Sequence, residues 1–300
     1  MSTERRQHFA DRLAALVEER RSRVVLGLDP DPAALWPAAV TASEVADDRG
    51  VRTAGAVARH CMLAIDAVAP ACVAVKLQLA CFERLGEHGW RALRRTAGHA
   101  REHGLLVIAD GKRGDVPVTA RAYAQALFGE TPGPFGSVAG LGADAATANP
   151  LLGRDALEPL VDGAAAAGGG LFVLVSTSNP GAAEIQEVLH EPLARLVDEM
   201  GAERVGESGL SSVGAVTGAT RPELLGRLRE LMPRAVFLLP GVGAQGGRVE
   251  DLGPAFAPHP AAGLVTASRS IVNAHEDRGG DPATAAAAAA DELRVAASVL

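Results

Sequence analysis

Hydrophobic positions along this chain gather into short unbroken runs, most of them stopping on a polar side chain, with amphipathic stretches between them. The runs cover residues 24–29, 72–77, 105–110, 144–149, 171–176, 213–218, 235–240 and 263–268. Runs that are apolar throughout, rather than alternating, are the signature of strands buried on both faces, as in a parallel sheet. Between several of them the period changes to that of a helix. Val57, Cys61, Ala64, Ile65 and Val68 form one stripe, with Arg59 and His60 predicted to point away from it. Pro222 opens a helix whose apolar side is Leu224, Leu225, Leu228 and Leu231. Phe9, Leu13, Leu16 and Val17 predict an N-terminal helix, and a C-terminal helix is predicted over about 282–299. Eight strand-then-helix units predict an α/β fold, a single (β/α)8 barrel domain spanning 1–300. The Gly/Pro-rich stretch at about 129–142 reads as a loop inserted within that domain.

In such barrels the chemistry gathers at the C-terminal ends of the strands. Here those ends carry Asp29, Lys76, Asp110, Asn149, Ser178, Gln245 and Arg269. Lys76 stands inside an apolar run, Val73-Ala74-Val75-Lys76-Leu77, where an unpaired ammonium would be costly. The densest cluster is Asp110-Gly111-Lys112-Arg113-Gly114-Asp115, directly after the third run. Two carboxylates held a few ångströms apart repel by ~4 kcal/mol at an effective dielectric near 20. Lys112, between them in the sequence, is the cation that would make the cluster tolerable.

Gly241-Val242-Gly243-Ala244-Gln245-Gly246 matches the G-x-G-x-x-G dinucleotide pattern, but no helix pattern follows it; Pro254, Pro258 and Pro260 come instead. The better reading is a phosphate cradle built from exposed amides of Gly241, Gly243 and Gly246, with Arg269 from the next strand as its charged partner.

Composition narrows the options. A formal net charge of −7 argues against a nucleic-acid or anionic-membrane surface, and the arginine clusters near residues 20 and 94 are interleaved with glutamates. No stretch has the length and apolarity of a signal or a span, so the protein is expected in the cytoplasm and off the membrane. The three cysteines lack metal or disulfide spacing and read as reduced thiols. The eight histidines show neither H-x-H nor H-E-x-x-H, so no metal site is expected. Ser178 lacks the G-x-S-x-G elbow of a serine hydrolase.

Taken together, Leu26-Gly27-Leu28-Asp29-Pro30, the Lys76 strand, D-x-K-x-x-D at Asp110 to Asp115, Thr147-Ala148-Asn149-Pro150, Ser176-Thr177-Ser178-Asn179-Pro180-Gly181, Pro240-Gly241-Val242-Gly243 and Ala267-Ser268-Arg269 resemble the orotidine 5′-phosphate decarboxylases, in particular their longer bacterial (type 2) subgroup. The resemblance runs from about Val24 to Val272. It implies cofactor-independent decarboxylation of orotidine 5′-phosphate to uridine 5′-phosphate in pyrimidine biosynthesis. Lys76, Asp110, Lys112 and Asp115 would be the catalytic tetrad, with Lys112 stabilising and protonating the C6 carbanion. Asp29, Thr119, Asn149, Ser178, Gln245 and Arg269 would bind the nucleotide, and a homodimer is implied in which Asp115 and Thr119 reach the neighbouring site. One departure is Ser268, where many relatives have glycine. The competing readings are a Mg²⁺-dependent sugar-phosphate decarboxylase or aldolase on the same D-x-K-x-x-D framework, a Schiff-base aldolase using Lys112, and a non-catalytic barrel that binds a phosphate ligand.

Overall fold

The computed structural model describes residues 7–41 and 48–299; residues 1–6, 42–47 and 300 lie outside the described residues. Among the described residues there are ten strands: β1 (Val24–Leu28), β2 (Ala74–Gln78), β3 (Leu106–Arg113), β4 (Glu130–Thr131), β5 (Val138–Ala139), β6 (Ala145–Ala148), β7 (Gly170–Ser176), β8 (Ser211–Thr217), β9 (Ala235–Pro240) and β10 (Gly263–Ala267). Eight of them close into a parallel barrel in the order β1-β10-β9-β8-β7-β6-β3-β2, while β4 and β5 pair antiparallel inside the 129–142 insertion. Each barrel strand falls on one of the eight apolar runs. The helices are α1 (Phe9–Arg20), α2 (Pro37–Thr41), α3 (Arg49–Val68), α4 (Leu79–Glu83), α5 (Gly86–Glu102), α6 (Pro117–Leu127), α7 (Arg154–Ala166), α8 (Ala182–Gln186), α9 (His190–Gly201), α10 (Pro222–Leu231), α11 (Arg269–Val272), α12 (Ala274–Arg278) and α13 (Pro282–Ser298).

Two hydrophobic layers hold the barrel. The outer one lies between strands and helices and takes the stripe Val57, Cys61, Ala64, Ile65 and Val68 of α3. Asp48 starts that helix by accepting a hydrogen bond from the Val51 amide at 2.8 Å, which satisfies one of the amides left open at the helix N-terminus. The inner layer fills the barrel with Val25, Ala74, Leu106, Ile108, Ala145, Phe172, Val236 and Leu264, and α1 plugs its N-terminal mouth with Phe9, Ala10, Leu13 and Val17. Phe9 meets Phe172 edge-on at 5.9 Å. Arg12 fastens the plug, bonding Asp144 at 2.6 Å and the Gly168 carbonyl at 3.1 Å, while Asp144 also accepts from the Val107 amide. Closing the bottom of the barrel interior with apolar volume leaves the interior open to solvent at the opposite mouth.

One expectation fails on α3. His60 does not point to solvent but is 3% exposed. Its Nδ1 accepts from the Trp36 amide at 3.1 Å, and its ring meets the Trp36 indole edge-on. The segment after β1 folds over this face of α3, so the buried stripe is wider than the periodicity suggests. Burial, helped by nearby His275, pulls the His60 imidazole down to about 4, which keeps it neutral near pH 7.

Candidate active site

In a barrel strand alternate residues face inward, and the open mouth is built from one parity of each strand end. Lys76 and Gln78, Asp110 and Lys112, Thr147, Leu174, Val216, Leu238 and Pro240, and Thr266 and Ser268 line a cavity of about 600 Å³, joined by Asp29, Ser178, Gln245 and Arg269. Its floor is apolar and its wall charged.

The charges stand in alternating order. Lys76 Nζ lies 3.5 Å from Asp29 Oδ1 and 2.7 Å from Asp110 Oδ2, and Lys112 Nζ lies 2.6 Å from Asp110 Oδ1. Asp110 is nearly enclosed, 4% exposed. Its Oδ1 also accepts the Thr147 hydroxyl at 2.8 Å and its Oδ2 the Gln78 amide at 3.4 Å. Burial alone would raise the Asp110 carboxyl, but Lys76 and Lys112 overcome it and hold the group well below the usual carboxylate range. Burial likewise works against the Lys76 ammonium, and Asp110 with Asp29 reverses the sign, so its pKa is raised. Both ions are therefore fixed as ions across the neutral range.

Lys112 is aimed by its backbone. The β3–β6 register shifts between Ala109 and Arg113, and Lys112 takes the left-handed φ of 47°, a conformation that an L residue adopts only when its surroundings insist. The Lys112 amide donates to Thr147 Oγ1 at 2.9 Å. One hydroxyl thus seats both the acid and the backbone of the lysine. Gly114 is required by contact: a Cβ there would come within 2.6 Å of the Asn149 carbonyl.

The structure does not bring every expected residue into the cavity. Asp115 is not paired with Lys112 within the chain; its Oδ1 accepts from the following amide, that of Val116, at 2.8 Å. The second anion of the cluster is Asp29, and the second cation Lys76, both distant in sequence from the hexapeptide. Thr119 lies on α6, outside the cavity lining. Asn149 also misses the wall: β6 ends at Ala148, and the Asn149 side-chain oxygen accepts from the Leu151 amide at 3.0 Å, closing its own turn.

The glycine loop is likewise different from a cradle of free amides. The amides of Gly243, Gly246 and Gly247 donate to the carbonyls of Gly247, Gly243 and Gly241 within the loop itself. Gly243 and Gly246 have φ of 76° and 89°, so these glycines are there for conformation. What the loop offers the cavity is Gly241, Val242, Ala244 and the Gln245 side chain, opposite Arg269 at the start of α11. Ser268 has room because Gly27 faces it; a Cβ at Gly27 would meet Ser268 Oγ at 1.9 Å.

Sequence reasoning passed over Thr147 and Gln78 as functional residues. Both sit in the same-parity position as charged neighbours on the adjoining strand, a signal that needs the strand register to be read.

The model of the family described as "Orotidine 5′-phosphate decarboxylase / HUMPS family" matches residues 22–288. The chain is 41% identical over 277 residues to an orotidine 5′-phosphate decarboxylase of Rhodopirellula baltica, covering 89% of each. It is 40% identical to that of Deinococcus radiodurans, covering 97% of this chain and 98% of the relative. Among solved structures, the orotidine monophosphate decarboxylase of Leishmania donovani superposes with a TM-score of 0.72 at 28% identity, over 97% of this chain and 98% of that one.

Proposed function

The chain belongs to the orotidine 5′-phosphate decarboxylase / HUMPS family, and from that premise we propose how its cavity performs the family's decarboxylation. The protein converts orotidine 5′-phosphate to uridine 5′-phosphate in pyrimidine biosynthesis. The bond between C6 and the carboxylate breaks, CO₂ departs, and the electron pair stays on C6. Lys112 Nζ faces that pair, stabilises it by charge, and passes it a proton; being 41% exposed, the lysine side chain can recover its proton from water.

The alternating line Asp29, Lys76, Asp110, Lys112 is the observation that carries this reading. Asp110 fixes the Lys112 ammonium at 2.6 Å and is itself fixed by Lys76. Because Lys76 and Thr147 hold Asp110 in place, its carboxylate cannot swing away from a second carboxylate brought in by substrate. The most demanding enzymatic accelerations require ~23 kcal/mol, and one preorganised donor supplies ~3–4 kcal/mol. Remote binding energy must therefore contribute: Gln245 and Arg269 take the phosphate, Asp29 the ribose hydroxyls and Ser178 the pyrimidine edge, all drawn from the cavity wall.

Asp115 and Thr119 we assign to the cavity of a second copy of the chain. They flank Val116 and Val118, apolar residues 53% and 72% exposed at the start of α6, a surface that a homodimer would cover. We place the reaction in the cytoplasm, where Cys61, Cys72 and Cys81, free thiols all, stay reduced.

A Mg²⁺-dependent relative would want clustered anions where Lys76 stands between Asp29 and Asp110. The decisive assay follows the ultraviolet absorbance of orotidine 5′-phosphate in the presence of EDTA. Turnover with chelator present is the expected result; loss of turnover restored by added Mg²⁺ would transfer the protein to the metal-dependent chemistry.

A further inference from the structure

At the barrel end opposite the cavity, three side chains that the decarboxylation does not use converge on one point. His99 and His103 stand one helical turn apart at the C-terminal end of α5, with ring centroids 4.8 Å apart. Asp66, in the last turn of α3, directs a single oxygen at both: Oδ1 lies 2.5 Å from His99 Nε2 and 3.1 Å from His103 Nε2. The ligand atoms of the three residues all lie within 4.8 Å of one another. We propose that Asp66, His99 and His103 form a site for a divalent transition-metal ion, zinc being the probe of choice, that staples α3 to α5.

The chemistry of the donors selects the ion. Two imidazoles and one carboxylate suit zinc and its neighbours, and do not suit Mg²⁺ or Ca²⁺, which want oxygen throughout. Two ring nitrogens and a carboxylate oxygen meeting at one point are held together either by a proton on each nitrogen or by one metal ion. On the far side of His99, Glu102 Oε2 lies 3.6 Å from Nδ1, beyond hydrogen-bond distance but near enough that a small rotation would let Nδ1–H donate to it. With the proton there, Nε2 would be the lone-pair donor, the arrangement found behind metal-bound histidines.

The frame is also fixed. Arg20 donates to the His103 carbonyl at 2.8 Å and, with its other nitrogen, to the carbonyls of Ala69 and Cys72 just beyond α3, each at 2.7 Å. One guanidinium thus sets both helix ends. Tetrahedral zinc needs donor atoms roughly 3.3 Å apart, so small side-chain rotations about this fixed backbone suffice. Asp66 and His103 are 42% and 34% exposed, which leaves an approach for the ion and a position for water as fourth ligand. The i, i+4 histidine pair is visible in the sequence, but its third ligand arrives from another helix.

The test uses the purified full chain, stripped with EDTA and dialysed, then titrated with Zn²⁺ against a chromophoric chelator. We expect one Zn²⁺ per chain, a rise of Tm on binding, and the d–d absorption of a low-coordinate site when Co²⁺ replaces Zn²⁺. His103→Gln and Asp66→Asn should each abolish the Co²⁺ spectrum and the Tm rise, and Glu102→Gln should weaken binding about tenfold. Decarboxylase kcat should be the same in every variant, with or without metal, which reports that each is folded and separates this site from the cavity chemistry. Failure of the wild type to take up Zn²⁺ in competition with the chelator, or an unchanged affinity in Asp66→Asn and His103→Gln, would reduce the cluster to a surface ion pair and overturn the proposal.

Discussion

Thr147 decides whether the two charges at the centre of the cavity are held or merely near each other. Its hydroxyl donates to Asp110 and accepts from the Lys112 amide, and a hydrogen bond to a charged group is worth ~1.5–3 kcal/mol. Thr147→Val keeps the volume and removes both bonds, so kcat should fall roughly tenfold to a hundredfold with little change in affinity for uridine 5′-phosphate. An unchanged kcat would mean that Lys76 alone positions Asp110. Lys112→Ala should bind that nucleotide and not turn over; a variant keeping more than about a tenth of kcat, a loss under ~1.4 kcal/mol, would rule Lys112 out as the proton donor. Titration gives an independent check on the pair. The Asp110 carboxyl is held below its unfolded value, so its contribution to stability is complete above about pH 4 and is lost as the pH falls through the folded value. Lys76 is held above its unfolded value, so its contribution is complete below about pH 10 and is lost as the pH rises past the folded one. Urea midpoints measured from pH 2 to 7 should therefore fall less steeply below pH 4 in Asp110→Asn than in the wild type; equal slopes would show that Asp110 is not the carboxylate being stabilised.

The division of labour between elements puts stability at one mouth of the barrel and chemistry at the other. Phe9 of α1 is 2% exposed and packs on Phe172 and Gly170, so Phe9→Ala should cost about 3–5 kcal/mol in denaturant unfolding. The same variant should keep its kcat well below its Tm, because Phe9 and the rest of α1 are not part of the cavity lining. A matching loss of kcat would mean that the plug sets the shape of the rim through the strands. The elements themselves were largely legible in the sequence, because a parallel strand buried on both faces leaves a short continuous apolar run, and eight such runs alternate with helical periods. What failed to show were features that depend on a neighbour. His60 reads as exposed by helical period, yet Trp36 covers it. Asn149 reads as a strand end, yet β6 stops one residue earlier and the side chain closes a turn. The glycine loop reads as a row of free amides, yet those of Gly243, Gly246 and Gly247 bond to carbonyls of the loop itself. Thr147 was invisible for the opposite reason: a threonine in an apolar strand is ordinary until the register sets it beside Asp110.

On the scale of the whole molecule, the D-x-K-x-x-D hexapeptide sends its charged residues to different places. Its first two charged residues line this chain's cavity, while Asp115 stands beyond β3, outside the cavity lining and bonded to the Val116 amide. If Asp115 serves the partner subunit's cavity, each site needs Lys112 from one chain and Asp115 from the other. A dimer of two Lys112→Ala chains then has no complete site, and neither has a dimer of two Asp115→Ala chains. A hybrid of the two has one cavity that lacks both residues and one that is intact. Random exchange between equal amounts of the two variants makes about half of all dimers hybrid, and one intact site in each returns roughly a quarter of wild-type activity, some ~0.8 kcal/mol below it in apparent barrier. Mixing the purified inactive proteins and following decarboxylation as subunits exchange measures this directly. No recovery, with exchange verified by mass-labelled chains, would confine the reaction to residues of a single barrel and leave Asp115 a turn-closing residue at the head of α6.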